Sequence, residues 1–227
     1  MKINFNIATY NLWKNCGKFP KRIHKMGDKL NHIDCICLQE DYEDRQFSSS
    51  NTINKTLNFN KITLPLRLKK RAGEKSSSNL TILSKYEIKL LENICFNENE
   101  EDERGAQMVQ LEVDHKKIIV VNTHLSNLSH LGRMNQIEVI KYKLENYQSD
   151  LLMICGDMNS NENSKEIKRI KRCGYNSVNK QATYEEENLM LDYIFYKNSF
   201  EVEVSSKITI KELSDHYCLE NNFCWSH

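Results

Sequence analysis

The chain has 227 residues, of which 39% are hydrophobic and 28% charged, with only 7 glycines and 2 prolines. This composition is typical of a soluble globular protein and excludes collagen-like, linker-like and proline-rich sequences. The length predicts a single domain over residues 1–227. The 32 basic and 31 acidic residues leave a net charge of +1, so any polyanionic partner must be bound by a local patch.

Neither a membrane span nor a secretory signal is predicted from the chain as given. No apolar stretch reaches the roughly 18 residues that a membrane span needs, and residues 2–6 lack a continuous apolar segment. The 8 cysteines contain no C-x-x-C pair, which favours reduced thiols over a disulfide or zinc framework. These observations predict a cytoplasmic or cytosol-like monomer, although delivery elsewhere by a signal-independent route stays open.

Short β-type runs recur along the chain, and some are separated by segments with helical periodicity. Strands are predicted, in chain order, at 3–10, 35–39, 80–84, 106–113, 117–123, 151–156, 191–196 and 200–206. Helices are predicted at 21–30, 132–146 and 165–173. The alternation is irregular and includes a predicted hairpin around Asp114 and His115. This favours an α/β class with mixed sheets over a doubly wound parallel fold.

Polar clusters stand at the ends of these predicted strands. They are Asn11, Gln39-Glu40, Asn122-Thr123-His124, Gly156-Asp157-Met158-Asn159 and Asp192, with Ser214-Asp215-His216 near the C-terminus. A single such residue is usually an ordinary turn or cap residue. For all six clusters to be ordinary turn or cap residues, that explanation would have to hold separately for each one. A single binding site explains them together, because loops at one sheet edge converge in space and carry binding groups. The pattern therefore predicts an active site.

The residue types of these clusters suit metal-assisted attack of water on phosphorus. Glu40, Asp215 and Asn11 offer the oxygen ligands that Mg²⁺ prefers. Histidines titrate near neutrality, and a carboxylate can orient one imidazole. A carboxylate and an amide two residues apart can be aimed at one reacting centre. Metal, imidazole, carboxylate and amide together fit phosphoryl chemistry, in which catalysis is largely positioning and charge neutralisation.

Taken in order, the motifs resemble the endonuclease/exonuclease/phosphatase superfamily, which includes deoxyribonuclease I and exonuclease III-like apurinic endonucleases. The resemblance rests on 9–13 (TYNLW), 38–40 (LQE), 122–125 (NTHL), 156–159 (GDMN), 191–195 (LDYIF) and 214–217 (SDHY). These segments extend over nearly the whole chain. The resemblance implies a four-layer α/β sandwich of two mixed β-sheets flanked by helices, as in deoxyribonuclease I.

The resemblance also implies which residues bind metal and substrate. Glu40 would be the principal Mg²⁺ ligand, assisted by Asn11 and Asp215, with Mn²⁺ as a substitute. Arg104 resembles the phosphate-contacting arginine of the family, and Asn11 and Asn159 would also contact substrate. The alternative interpretation of Arg104 is charge balance for the acidic run 98–103.

The remaining catalytic roles come from the same resemblance. Asp157 would position or activate the attacking water, while Asn159 would hold that water or the phosphate. His216, oriented by Asp192, would act as the general base or stabilise the pentavalent transition state. His124 would donate to a phosphoryl oxygen or to the leaving group.

The predicted function is that of a Mg²⁺-dependent phosphodiesterase acting on nucleic acid, of the endonuclease, exonuclease or 5′-tyrosyl-DNA phosphodiesterase type. Basic loops at 14–25 and 67–75 are candidates for contacts to a phosphate backbone. The alternative is a lipid or small-molecule phosphoesterase, whose exposed apolar loops could include Phe19 and Phe47. A non-catalytic binding module on the same fold is less favoured, because all the catalytic residue types are present.

Overall fold

A computed structural model describes residues 2–71, 74–96 and 103–226. Its strands are β1 (Lys2–Asn11), β2 (Cys35–Asp44), β3 (Asn60–Arg71), β4 (Glu74–Ser84), β5 (Lys89–Cys95), β6 (Gly105–Val113), β7 (Lys116–His124), β8 (Leu151–Asp157), β9 (Asp192–Asn198), β10 (Glu203–Ile208) and β11 (Leu219–Ser226). Its α-helices are α1 (Met26–Leu30), α2 (Ser49–Leu57), α3 (His130–Leu144) and α4 (Lys165–Arg172). None of these helices is both long and apolar enough to cross a membrane.

The strands form two mixed sheets that pack face to face. One sheet has the order β10-β11-β1-β2-β4-β3, and the other has the order β5-β6-β7-β8-β9. Side chains alternate between the faces of each strand, so Phe5 points between the sheets while Ala8 points to the outer face covered by α1 and α2. Helices α3 and α4 cover the outer face of the second sheet. The predicted four-layer α/β sandwich is confirmed.

Each predicted strand has a counterpart in the structure, although the one predicted at 200–206 begins only at Glu203. Among the described residues, three strands and one helix were not predicted. Strands β3 and β5 lie at sheet edges, where charged residues and Pro65 are tolerated and the apolar alternation is weak. Strand β11 is central, yet its buried Glu220 and Asn221 break the apolar pattern. Helix α2 was also not predicted. The helix predicted at 21–30 is wrong in length, because a 3₁₀ turn at Ile23–Lys25 precedes the short α1.

Strand pairing gathers the polar strand ends at one edge of the sandwich. Strands β1 and β2 are parallel, and Asn11 lies opposite Gln39. Strands β7 and β8 are also parallel, and His124 lies opposite Asp157. Because β9 runs antiparallel to β8, its first residue, Asp192, pairs with Asp157. Register therefore aligns these residues within each sheet, and the packing of the two sheets brings Asn11 within hydrogen-bonding distance of Asp157.

Gln39 and Asn122, two of the strand-end residues, connect the sheets instead of facing the cavity described below. Gln39 Nε2 donates to Asn122 Oδ1 over 2.7 Å, and both side chains are fully buried. Asn122 Nδ2 also donates to the carbonyl oxygens of Leu38 and Thr81. A buried polar group must find partners inside the protein, and here those partners fix the two sheets together beside the edge where the polar strand ends meet.

The glycine before Asp157 is required by the backbone. Gly156 has φ +143°, and a Cβ built there would lie 1.8 Å from the Thr123 carbonyl oxygen. We expect Gly156→Ala to lower the free energy of unfolding by at least about 3 kcal/mol in urea denaturation. Gly174→Ala is the control, because its φ is also positive, at +87°, but its Cβ would lie 3.7 Å from the nearest atom. It should cost only about 1 kcal/mol, and equal losses would contradict this account.

A buried carboxylate joins α3 to α4. Glu166 Oε1 lies 2.7 Å from Arg133 Nε and 2.9 Å from His130 Nδ1. Burial alone would raise its pKa, but His130, its own backbone N–H and Arg133 lower the pKa of Glu166 to about 2. The stabilisation is therefore complete above pH 4.5 and is lost as the pH falls toward 2.

We expect Glu166→Gln to lower the free energy of unfolding at pH 7 by roughly 2–3 kcal/mol. Urea denaturation at pH 7 and at about pH 3 should show the difference from the wild type shrinking in acid. Glu162→Gln, which changes an exposed carboxylate close by, should leave stability unchanged. A difference for Glu166→Gln that does not change with pH would disprove the electrostatic explanation.

Candidate active site

A cavity of about 600 Å³ opens at the edge where the strand ends meet. Eight of the nine predicted site residues line it: Asn11, Glu40, Arg104, His124, Asp157, Asn159, Asp215 and His216. The ninth, Asp192, is fully buried and lies directly behind His216. Residues separated by up to about 200 positions in sequence are thus brought to one concave surface.

Asp157 is the centre of the hydrogen-bonding network. Its Oδ2 accepts from Asn11 Nδ2 at 3.1 Å and lies 3.4 Å from His124 Nε2 and 3.7 Å from His216 Nε2. Its Oδ1 accepts from the backbone N–H of Asn159 at 2.9 Å. Burial alone would raise the pKa of Asp157, but the two histidines and this N–H lower it well below its ordinary value. The buried carboxyl is therefore ionised.

His216 is fixed by a second buried carboxylate. Its Nδ1 donates to Asp192 Oδ2 at 2.7 Å, which sets the ring orientation and turns Nε2 toward Asp157. Burial would lower the pKa of His216, but Asp192, Asp157 and Asp215 outweigh it and raise the pKa to about 10. Tyr184 packs beside the ring, with the centroids 4.9 Å apart.

His124, in contrast to the charged His216, is held as a neutral imidazole. A guanidinium can only donate, so the contact of Arg104 Nη1 with His124 Nδ1 at 3.3 Å requires an unprotonated Nδ1. The proton of the neutral ring is then on Nε2, which faces Asp157. Burial and the Arg104 charge lower the pKa of His124, although Asp157 opposes them. The two histidines that face Asp157 therefore differ in charge.

Glu40 reaches the cavity through an irregularity in β2. The pairing of β2 with β4 shifts between Leu38 and Asp41, and Glu40 has φ +52°. Such a bulge turns a side chain away from the regular alternation. The Glu40 Oε1 atom lies 3.6 Å from Lys14 Nζ. Lys14 was considered only as part of a basic loop, and this contact was not predicted.

The donor set at the mouth of the cavity fits a hard divalent cation. Asp215 is half-buried; burial and the neighbouring Glu40 carboxylate raise its pKa, while His216 and Ser214 oppose the rise. Two carboxylates that repel each other across an open cavity are a favourable site for Mg²⁺, which takes oxygen ligands and keeps several waters. Asn11 also lines this cavity, and its Oδ1 accepts from the Trp13 N–H at 3.0 Å.

A second group could also hold a cation. Ligand atoms of Asp157, Asp192 and His216 lie within 4.8 Å of one another. Each ring nitrogen of His216 faces one of the two carboxylates, so the imidazole occupies the space between them. All three side chains are buried. This arrangement is typical of an oriented imidazole, and the more open pair of Glu40 and Asp215 fits hydrated Mg²⁺ better.

Asn159 and Arg22 hold the loops around the cavity. Asn159 has φ +48°, and its Nδ2 donates to the Leu125 carbonyl oxygen at 2.9 Å. Arg22 was considered as a phosphate contact, but it is buried and donates to the carbonyl oxygens of Trp13, Lys14, Cys16 and Leu213. It joins the loop after Asn11 to the loop that carries Asp215.

The chain belongs to the endonuclease/exonuclease/phosphatase family, whose sequence model matches residues 8–216. A search of curated proteins found no sequence match. Solved structures with the same fold include a family member from Bacteroides vulgatus, at 17% identity and TM-score 0.76, covering 97% of this chain and 98% of that one. A humanized D. rerio TDP2 with 14 mutations is 17% identical in sequence with a TM-score of 0.74, and the match covers 97% of this chain and 98% of that one. A Staphylococcus aureus beta toxin is 16% identical in sequence with a TM-score of 0.75, and the match covers 98% of this chain and 100% of that one.

Proposed function

We propose that this protein is a Mg²⁺-dependent phosphodiesterase that hydrolyses phosphodiester bonds in nucleic acid. The observation that carries the proposal is the convergence on Asp157 of a neutral histidine, His124, and a charged one, His216, in the cavity that Glu40 and Asp215 also line. Oriented imidazoles, an ionised carboxylate and a pair of metal-binding carboxylates suit attack of water on phosphorus. Family membership supports the reaction class.

In this proposal Glu40, Asp215 and Asn11 hold the metal ion. When bound, Mg²⁺ would neutralise charge on a phosphate oxygen and orient the phosphate for displacement. Mn²⁺, which also prefers oxygen ligands, would substitute. Lys14, at 3.6 Å from Glu40, would also have to accommodate the ion.

The other residues act on water and phosphate. Asp157 orients the attacking water, and Asn159 holds it or the phosphate at the turn that follows β8. His216, which its raised pKa keeps charged, presents its Nε2–H to the scissile phosphate as the group that stabilises the transition state, and Asp192 keeps its ring in place. The alternative role of general base requires that His216 first lose that proton. His124 donates its Nε2 proton to a phosphoryl oxygen or the leaving group, and Arg104, which contacts its Nδ1, also binds phosphate.

A substrate panel tests this proposal. The panel contains plasmid DNA, abasic duplex, single-stranded DNA, RNA, a 5′-tyrosyl oligonucleotide, sphingomyelin and an inositol phosphate, each with Mg²⁺, Mn²⁺ or a chelator. We expect metal-dependent cleavage of a nucleic acid that is lost in Glu40→Ala. Turnover of only the lipid or the inositol phosphate would overturn the proposed substrate, and no turnover would overturn the proposed activity.

A lipid phosphodiesterase is the second candidate, and one observation favours it. Leu128 and Leu131 are 65% and 69% exposed, and they follow Asn127, which lines the cavity. Phe19 and Phe47, the residues considered for this role, instead pack against each other with centroids 4.8 Å apart. If lipid is the substrate, Leu128→Ser with Leu131→Ser should lower turnover of sphingomyelin vesicles about tenfold. Cleavage of a nucleic acid should be unchanged by the same substitutions.

A further inference from the structure

A second cavity lies beside the catalytic one and takes no part in the proposed chemistry. It has a volume of about 620 Å³, and its walls come from the end of β2 and from the β3–β4 hairpin. Lys14 and Cys16 line both cavities, so the two are adjacent. Lys14 also forms ion pairs with Glu40 on one side and Glu103 on the other, and Glu103 pairs with Arg67. We call this second cavity the basic groove.

The basic groove differs from the catalytic cavity in charge. Its basic lining residues are Lys14, Arg45, Arg67, Lys69 and Lys75, and its acidic ones are Asp44, Glu74 and Glu103. Two of the acids are engaged within the protein. Asp44 accepts from the Tyr42 hydroxyl and from two backbone N–H groups, and Glu103 is held by Lys14 and Arg67. Arg45 and Lys75 are exposed. The ion pairs with Glu103 also engage Lys14 and Arg67. The excess positive charge of the groove therefore comes from Arg45, Lys69 and Lys75 against Asp44 and Glu74, in a chain whose total charge is only +1.

Uncharged groups in the groove complement this charge. The serines at 76–78 line it, and serine hydroxyls can donate to phosphate oxygens. Tyr42 contributes a half-buried aromatic ring, which Phe19 supports from the side with the centroids 5.5 Å apart. Proteins that bind single-stranded nucleic acid combine a positively charged groove along the backbone with aromatic rings for the bases.

We propose that the basic groove binds the strand that flanks the scissile phosphodiester of a single-stranded nucleic acid. This inference rests on the proposed function, because it places the reacting phosphate in the catalytic cavity and the flanking phosphates beyond Lys14. Phosphate contacts of this kind position a substrate without reading its sequence. The groove therefore makes affinity depend on strand length and salt, while the reaction itself depends on the catalytic cavity.

Charge reversal at the exposed basic residues tests the inference. Arg45→Glu with Lys75→Glu should weaken binding of a fluorescently labelled 12-nucleotide single strand about tenfold or more, measured by anisotropy in chelator. Each lost phosphate contact should reduce the slope of log K against log salt by about 0.7. Binding of a dinucleotide should not change. The control is Lys168→Glu with Lys171→Glu on α4, which changes the net charge equally at exposed positions outside both cavities.

Hydrolysis separates this inference from the proposed function. With Mg²⁺, the groove variant should show a raised KM for the 12-nucleotide strand, an unchanged kcat and an unchanged KM for the dinucleotide. A KM that does not depend on strand length, or a KM that the α4 control raises as much as the groove variant does, would contradict the inference about the groove. The proposed phosphodiesterase activity would be unaffected by that result. Strand binding that the groove variant weakens, with no hydrolysis by any variant, would support the groove and overturn the proposed function. Thermal melts establish that each variant is folded.

Discussion

Asp157→Asn is expected to lower kcat for phosphodiester hydrolysis by about 10³-fold or more, with little change in KM. Asparagine has nearly the same shape, but it replaces one carboxylate oxygen with a donor. That donor would face Asn11 Nδ2 and the His124 and His216 nitrogens, which now approach Asp157 Oδ2. The water-orienting acceptor and the negative charge are both lost.

His216→Ala should have a similar effect, and the two substitutions should not be additive. Residues that act as a unit lose their contribution together, so the double variant should be about as slow as the slower single variant. Steady-state kinetics on one substrate, with circular dichroism to verify folding, measures this. Glu112→Gln, which changes an exposed carboxylate on β6, is the control. Full activity in either single variant would remove the substituted residue from the mechanism and contradict the claim that the two act as a unit.

Glu40→Gln is expected to raise the Mg²⁺ concentration needed for half-maximal activity by about 100-fold, because the principal anionic ligand is lost. Binding can be measured without substrate. A ligand at 100 times its Kd stabilises the folded state by about 2.7 kcal/mol, so Mg²⁺ should raise the Tm of the wild type and have little effect on the variant. Removing the metal with a chelator should abolish both the Tm shift and the activity.

The control for Glu40 is a carboxylate in the same cavity. Glu187 also lines it but is exposed and is not a proposed ligand. Glu187→Gln removes the same charge and should leave the Mg²⁺ dependence within about twofold. If the two substitutions raised the Mg²⁺ concentration for half-maximal activity equally, Mg²⁺ affinity would depend on the general negative charge of the cavity. Glu40 would then not be the principal ligand.

The polar residues at the edge that carries the cavity could be located from the sequence because strand ends follow from local patterns. Apolar runs locate β1, β7 and β8, and the polar residue after each run then falls at the same edge. The fold class was predicted from the same alternation and from the family resemblance, which also suggested the roles of Asn11, His124 and Asp157. The strand order and directions that bring these residues together were not predicted.

Other features depend on contacts between distant segments, which no local pattern encodes. The bulge that turns Glu40 into the cavity arises from the pairing of β2 with β4. Arg22 belongs to a basic run in sequence, yet its side chain is buried and donates hydrogen bonds to four carbonyl oxygens from two loops. The acidic run 98–103, considered as the partner of Arg104, lies mostly outside the described residues, but Glu103 pairs with Lys14 and Arg67.

The most direct test of the central claim is hydrolysis of a single-stranded oligonucleotide in ¹⁸O-labelled water, analysed by mass spectrometry. With Mg²⁺, the wild type should release a product whose terminal phosphate carries one ¹⁸O atom, because water attacks phosphorus. Chelator and Asp157→Asn should suppress that product. Folded wild-type protein that leaves the strand intact, or a cleaved product without ¹⁸O on phosphorus, would contradict the claim that this cavity hydrolyses phosphodiesters of nucleic acid.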